Sequence, residues 1–250
     1  MFSRRFILVV PAVFSLIACT LLPTPTPVTL VETVEVEVTR PVTQRVVITA
    51  RPSSTPPATP EPRSLFADDF EAGEGEWSVE TIPQGAVSVV DGELTIEVSE
   101  ANFLLRASHP ALDLLDTYSM EVDISYVSGP TIAEAGIGLR CGSDQVLDLG
   151  IAADGTFSIF RAISVGATGL DFDDIIPYVQ TSAINRGQAL NRVRIVDDNK
   201  EVIVHVNAEL VAKFPFDEIP PGCPGLYVRT FKEGGAVWSF DNLSIRELER

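Results

Sequence analysis

From Ala86 to Glu247 the chain is a run of short segments in which apolar and polar residues alternate, parted by turn dipeptides. Alternation at period two is the mark of a half-buried strand, and no segment sustains the 3.6-residue period of a helix. Asp91-Gly92 parts Ala86–Val90 from Glu93–Val98. A DG pair between such runs is a strong hairpin signal, because both turn residues must accept positive φ. Asp154-Gly155 parts residues 146–152 from 156–162, and Asp197-Asp198-Asn199-Lys200 parts 192–196 from 202–206. Further strands are expected at 103–107, 118–127, 136–141, 209–214, 225–231 and 237–247. The longest places Tyr118, Met120, Val122, Ile124 and Tyr126 on one face and Ser119, Glu121, Asp123 and Ser125 on the other. Residues 169–184 are the least strand-like, and Leu170-Asp171-Phe172-Asp173-Asp174-Ile175-Ile176 reads as one helical turn. Many short antiparallel strands joined by turns make an all-β sandwich or barrel.

The first 64 residues have no place in such a core. Arg4 and Arg5 precede an apolar run of about a dozen residues, too short to span a bilayer as a mature helix. It ends in Leu16-Ile17-Ala18-Cys19, which resembles the bacterial lipobox. That resemblance implies a signal peptide over 1–18 and a diacylglycerol on Cys19, hence an exported protein anchored to the outer face of the cell membrane. Residues 19–64 read as a spacer. Its Thr/Pro-rich ends favour extended polyproline II. Its middle, residues 31–50, alternates Val with Glu, Thr or Arg, so a strand edge that pairs with a partner is the alternative to a stalk. The folded domain is expected over 65–250.

From Leu65 onward 12 Lys and Arg stand against 31 Asp and Glu, a charge near −19. Such a surface repels nucleic acid and anionic lipid and suits neutral ligands, cations or basic partners. Besides Cys19 there are Cys141 and Cys223. An even pair in an exported domain points to a disulfide worth about 2–4 kcal/mol, the alternative being two buried thiols.

Several landmarks fall in a familiar order: Asp68-Asp69-Phe70, Trp77, Val90-Asp91-Gly92-Glu93-Leu94, Gly138-Leu139-Arg140, Ala153-Asp154-Gly155-Thr156-Phe157, Asn191-Arg192-Val193-Arg194, Asn207-Ala208-Glu209-Leu210, Pro224-Gly225-Leu226-Tyr227 and Phe240-Asp241-Asn242-Leu243. Over about residues 66–248 this resembles the concanavalin A-like, laminin-G-type jelly roll, in its 3-keto-disaccharide hydrolase-like branch. The resemblance implies an antiparallel β-sandwich that binds or cleaves sugar. The family often carries Tyr before the DG turn, where this chain has Leu147-Asp148-Leu149, and Trp where this chain has Tyr178. Aromatics there are sugar-stacking platforms, which makes Tyr178 a ligand candidate.

Glu121 and Asp123, two residues apart on one strand face, are the catalytic candidates. Retaining glucanases of this fold carry a similar Glu-x-Asp followed by a second Glu; here that place is Tyr126, on the opposite face. By parity Arg140, Asp148, Arg192, Arg194 and His205 share the face of Glu121 if their strands form one concave sheet, where carboxylates and guanidinium groups would hydrogen-bond a glycan. Asp69 and Asp241 are Ca²⁺ candidates, on the expectation that the terminal strands pair, and the acidic stretch Asp171, Asp173 and Asp174 is another. Turn capping and charge pairing are the alternatives for these groups. No other cofactor is expected. His109 and His205 are isolated, and neither a Gly-x-Ser-x-Gly elbow nor a phosphate loop is present. The expectation is a cell-surface module that binds a glycan or an envelope protein. The rivals are a hydrolase of modified disaccharides and an envelope spacer without a ligand.

Overall fold

The computed structural model describes residues 62–248 apart from 113–114, 143, 166–168, 217 and 220–221. The signal peptide, Cys19 and the spacer through residue 61 lie outside the described residues.

Two antiparallel sheets are stacked. The larger has the spatial order β13 (Glu209–Pro215), β12 (Glu201–Val206), β11 (Asn191–Asp197), β6 (Tyr118–Ser128), β15 (Ala236–Glu247), β4 (Glu93–Val98), β3 (Gly85–Val90) and β2 (Glu80–Ile82), with β1 (Ser64–Asp68) paired to the end of β15. The smaller runs β10 (Gly169–Gln180), β9 (Thr156–Val165), β8 (Gln145–Ala152), β7 (Glu134–Cys141), β14 (Gly225–Arg229) and β5 (Leu104–Ala107). The terminal strands pair as expected, with Asp68 opposite Leu243.

Turn chemistry sets the registers. Asp91 and Gly92 both take positive φ, 53° and 80°, the backbone of a two-residue hairpin turn whose twist matches its strands. Asn207 and Ala208 do the same between β12 and β13, at 50° and 68°. Inward residues of both sheets interdigitate: Leu94, Ile96, Met120, Val122, Ile124, Trp238 and Phe240 from one, Ile137, Leu139, Leu149, Ile151, Leu226 and Val228 from the other, all essentially buried.

One expectation fails here. The stretch read as a helical turn is strand β10, laddered to β9 from Gly169 opposite Val165 to Gln180 opposite Thr156. Register shifts between Asp174 and Ile176, and between Ile176 and Val179, break the period-two pattern that would have revealed it. β10 is an edge strand, so Pro177 and three aspartates cost no ladder bond on its open side.

Cys141, at the end of β7, is joined to Cys223, just before β14, with Cα atoms 5.9 Å apart. Beside it Arg140 crosses between the sheets. Its guanidinium grips the Asp197 carboxylate of β11 with two nitrogens, Nε at 2.7 Å, and donates to the carbonyls of Phe216 and Ile219. The register explains the inward turn. Gly138 stands opposite Asp148, but after a bulge Arg140 stands opposite core-facing Leu147.

Candidate active face

The sequence candidates divide between two surfaces. Glu121, Asp123, Arg192, Arg194 and His205 lie on the outer face of the nine-stranded sheet, with Glu121 opposite Arg194, Asp123 opposite Arg192 and Arg194 opposite His205. Asp123 is held by Arg192 through Nε at 2.7 Å and Nη2 at 2.8 Å, and by Asn242 at 3.1 Å. That pairing raises the Arg192 guanidinium above its ordinary value. Both oxygens of this carboxylate are committed to neighbouring side chains. At the third position of the motif, Tyr126 packs edge-on against Trp238 and donates its hydroxyl to the Gly129 carbonyl. Glu121 and Asp123 therefore form no glucanase-like pair. The parity expectation is corrected for two members: Arg140 is turned into the core, and Asp148 belongs to the other sheet.

Asp69 lies beside Asn242 where β1 meets β15, and each Ca²⁺ candidate bonds within its own neighbourhood. Asp69 accepts from the Glu71 amide and Asp241 from the Asn242 amide, as turn caps do. Asp173 pairs with Arg161, and Asp171 caps Phe172. Among the described residues no three His, Cys, Asp or Glu side chains are gathered as metal ligands.

The outer face of the six-stranded sheet is different. Strands β14 and β10 lie four strand spacings apart, about 19 Å on a flat sheet. Yet the Arg229 guanidinium sits 3.8 Å from the ring centre of Phe172 on β10, 4.4 Å from that of Phe160 and 4.7 Å from that of Phe231. Tyr227 of β14 meets Phe160 of β9 edge-on at 5.9 Å. Contacts of this reach require the sheet to curl, so this is the concave face.

Polar groups line its floor. Asp148, fully buried, receives two bonds from Arg106, at 2.7 and 2.5 Å. Burial disfavours the charged guanidinium, but Asp148 outweighs it and Arg106 is held above its ordinary value. Glu134, also fully buried, takes one bond from Ser158 on Oε1. Burial pushes its carboxyl up to about 7. Ser158 and Arg229 pull the other way, and Asp148 and Asp174 add to the rise. Its second oxygen, Oε2, lies 3.9 Å from Nη1 of Arg229, and neither atom has a hydrogen-bond partner. The buried Tyr227 hydroxyl has none either. Glycines make the room. A Cβ on Gly150 would stand 2.5 Å from the Tyr227 hydroxyl and 3.1 Å from Glu134, and one on Gly138 would stand 2.9 Å from Arg106.

Beside this floor opens an apolar notch of about 250 Å³ lined by Ile132, Asp154, Thr156, Tyr178 and Phe231. Tyr178 is half exposed and meets Phe231 edge-on at 5.6 Å. Burial and the neighbouring charge of Glu134 both raise its phenol. The structure thus brings Tyr178 and Asp148 onto one face with Arg106, Glu134, Tyr227 and Arg229, which sequence reasoning missed. A signal existed: Asp148 interrupts the apolar run of β8, and Glu134 heads the apolar and glycine-rich start of β7, where a polar residue must find a buried partner.

No protein-family model and no curated protein matches the sequence. Solved structures match the fold. The catalytic domain of an endo-1,3-β-glucanase (laminarinase) from Thermotoga petrophila RKU-1 aligns with TM-score 0.53 at 10% identity over 76% of this chain and 99% of that one. A structure from the endo-acting O-glycanases of human gut bacteria that initiate mucin breakdown aligns with TM-score 0.53 at 14% identity over 75% and 100%. A sialidase aligns with TM-score 0.50 at 13% identity over 74% of this chain, which spans only 19% of that one.

Proposed function

On a concanavalin A-like jelly roll whose six-stranded sheet curls into a polar trough beside an aromatic notch, we propose a glycan-binding module that holds its ligand on that concave face. One observation carries the reading: an open apolar platform, Tyr178 with Phe231, shares its notch with the polar side chains of Asp154 and Thr156. A sugar presents the matching chemistry, a C–H face for an aromatic ring and hydroxyls for charged hydrogen-bonding groups. The neighbours' actions on glycans support the same class of ligand. The outer face of the nine-stranded sheet has no aromatic platform among the residues of its polar depression, where Ser119, Glu121, Arg194, Ser244 and Arg246 meet.

A second reading, hydrolysis of the bound glycan, draws on Glu134. A buried carboxyl held near 7 has the character of a general acid, and Asp174 is a second carboxylate within its electrostatic reach. With Cys19 lipidated, the module would stand on the outer face of the membrane. Loss of palmitate labelling in Cys19→Ser would support that, and unchanged labelling would remove it.

The test is thermal unfolding of the full chain against a panel of oligosaccharides. A ligand that binds only the folded state raises the midpoint by mass action. A saturable rise with one glycan class, lost in Tyr178→Ala, is expected; no rise with any member would overturn the proposal. Incubating the bound glycan and assaying for new reducing ends separates binding from hydrolysis.

A further inference from the structure

We infer that the notch beside Tyr178 takes a sugar residue carrying an acetamido group in preference to one carrying hydroxyls alone; this rests on the glycan-binding reading above and names the ligand class of that same site. Ile132, Tyr178 and Phe231 give the notch apolar walls, and Ile132 and Tyr178 are each nearly half exposed, so a ligand meets them from solvent. The other two lining side chains, Asp154 and Thr156, are tied to each other. Oδ1 of Asp154 accepts from the Thr156 amide at 3.0 Å and from the Thr156 hydroxyl at 2.7 Å. The hydroxyl proton is thereby spent, and toward a ligand Thr156 can only accept. Oδ2 of Asp154 bonds no group among the described residues and, as a carboxylate oxygen, also only accepts. The β8–β9 turn fixes this pair: Gly155 takes φ 92°, and Gln180 donates to the Asp154 carbonyl at 3.1 Å.

A ligand group that satisfies Asp154 and Thr156 must therefore donate. Carboxylate, sulfate and ether groups do not. An ammonium does, but cations already stand near both walls: a Cβ on Gly155, next to Asp154, would lie 2.8 Å from Arg186 Nε, and the Arg229 guanidinium is 4.7 Å from the ring centre of Phe231. Hydroxyl and amide N–H remain. A plain hexose carries hydroxyls around its ring, and those turned toward Ile132, Tyr178 and Phe231 lose water without gaining a partner. An acetamido group divides as the lining does. Its N–H donates to Asp154 Oδ2 while its methyl packs against the apolar wall, and its carbonyl keeps water at the open side of the notch.

Calorimetric titration of the full chain tests this with three tetrasaccharides of one β-1,4-linked backbone that differ only at C2. Cellotetraose carries hydroxyls there, N-acetylated chitotetraose acetamido groups, and its de-N-acetylated form ammonium groups. Methyl α-N-acetylgalactosaminide against methyl α-galactoside repeats the comparison on a second ring. On at least one ring the acetamido member is expected to bind about tenfold or more tightly than its hydroxyl counterpart, and the ammonium form more weakly than the acetamido form. Ile132→Ala, in the β6–β7 loop, is expected to shrink that preference, whereas Tyr178→Ala weakens every sugar that binds. Melting without sugar shows that each variant folds. Equal or tighter binding of the hydroxyl or ammonium members, an unchanged preference in Ile132→Ala, or binding of other panel sugars while none of these five binds would overturn the acetamido assignment and leave glycan binding standing. Failure of every sugar to bind the wild type would overturn both.

Discussion

The outward faces of the two sheets carry similar charged residues and use them in opposite ways. On the nine-stranded sheet, β11 and β12 alternate buried with exposed or half-exposed positions, and Arg192 stands half in water over Asp123. On the six-stranded sheet, β7 and β8 are buried on both faces, and Asp148 and Glu134 have no exposed surface, although Arg106 above Asp148 is partly exposed. Burial strengthens a charge pair but raises the cost of leaving it incomplete. Buried polar atoms without a partner occur on both sheets, His205 Nδ1 on the nine-stranded one and Glu134 Oε2 with the Tyr227 hydroxyl on the six-stranded one.

The comparison breaks first at the two ion pairs. Arg106→Ala strands a buried carboxylate and is expected to destabilise by about 3–5 kcal/mol. Arg192→Ala also uncovers a buried carboxylate, but Asp123 keeps the Asn242 amide and the lost guanidinium is half exposed, so the loss should be smaller, about 1–2 kcal/mol. Equal losses in chemical denaturation would erase the distinction between the faces.

Next in size is the pH dependence. A carboxyl that titrates near 7 when folded and near 4.5 when unfolded is still protonated in the native state where the unfolded state has lost its proton. The native state then binds more protons, so stability is full below about 4.5 and falls as pH rises toward 7, by up to about 3 kcal/mol. Glu134→Gln should flatten that fall. Persistence of the slope in Glu134→Gln would show that Glu134 is not its source.

Smaller still is Tyr227→Phe. The hydroxyl is buried without a partner, so removing it should leave the unligated protein as stable or up to about 1 kcal/mol more stable. A loss of 2 kcal/mol or more would mean that the hydroxyl has a structural partner. Ala208→Gly, at the β12–β13 turn, should gain about 1 kcal/mol, since Ala208 holds φ at 68° where glycine is unstrained. No gain would show that the rest of the turn gives up as much as glycine relieves.

The antiparallel sandwich was legible because alternation and DG turns are local signals. The same parity rule brought Glu121, Asp123, Arg192, Arg194 and His205 onto one face. It could not say which sheet a strand joins, so Asp148 was placed on the wrong one. Nor could it register the bulge that turns Arg140 inward. Glu134 escaped because Glu134-Ala135-Gly136-Ile137-Gly138-Leu139 has no clean alternation; Gly138, which leaves space for Arg106, and Gly150 of β8, which leaves space for Glu134, read in sequence only as weak strand formers. Tyr178 was found through the resemblance alone, its strand hidden by two bulges.

The most direct measurement is a backbone NMR map of the full chain titrated with the oligosaccharide that gives the largest thermal shift. Perturbations centred on Ile132, Thr156, Tyr178 and Phe231 would place the ligand on the concave face, as proposed. Perturbations centred instead on Ser119, Glu121, Arg194 and Ser244 would put it on the nine-stranded sheet and contradict the assignment of the site.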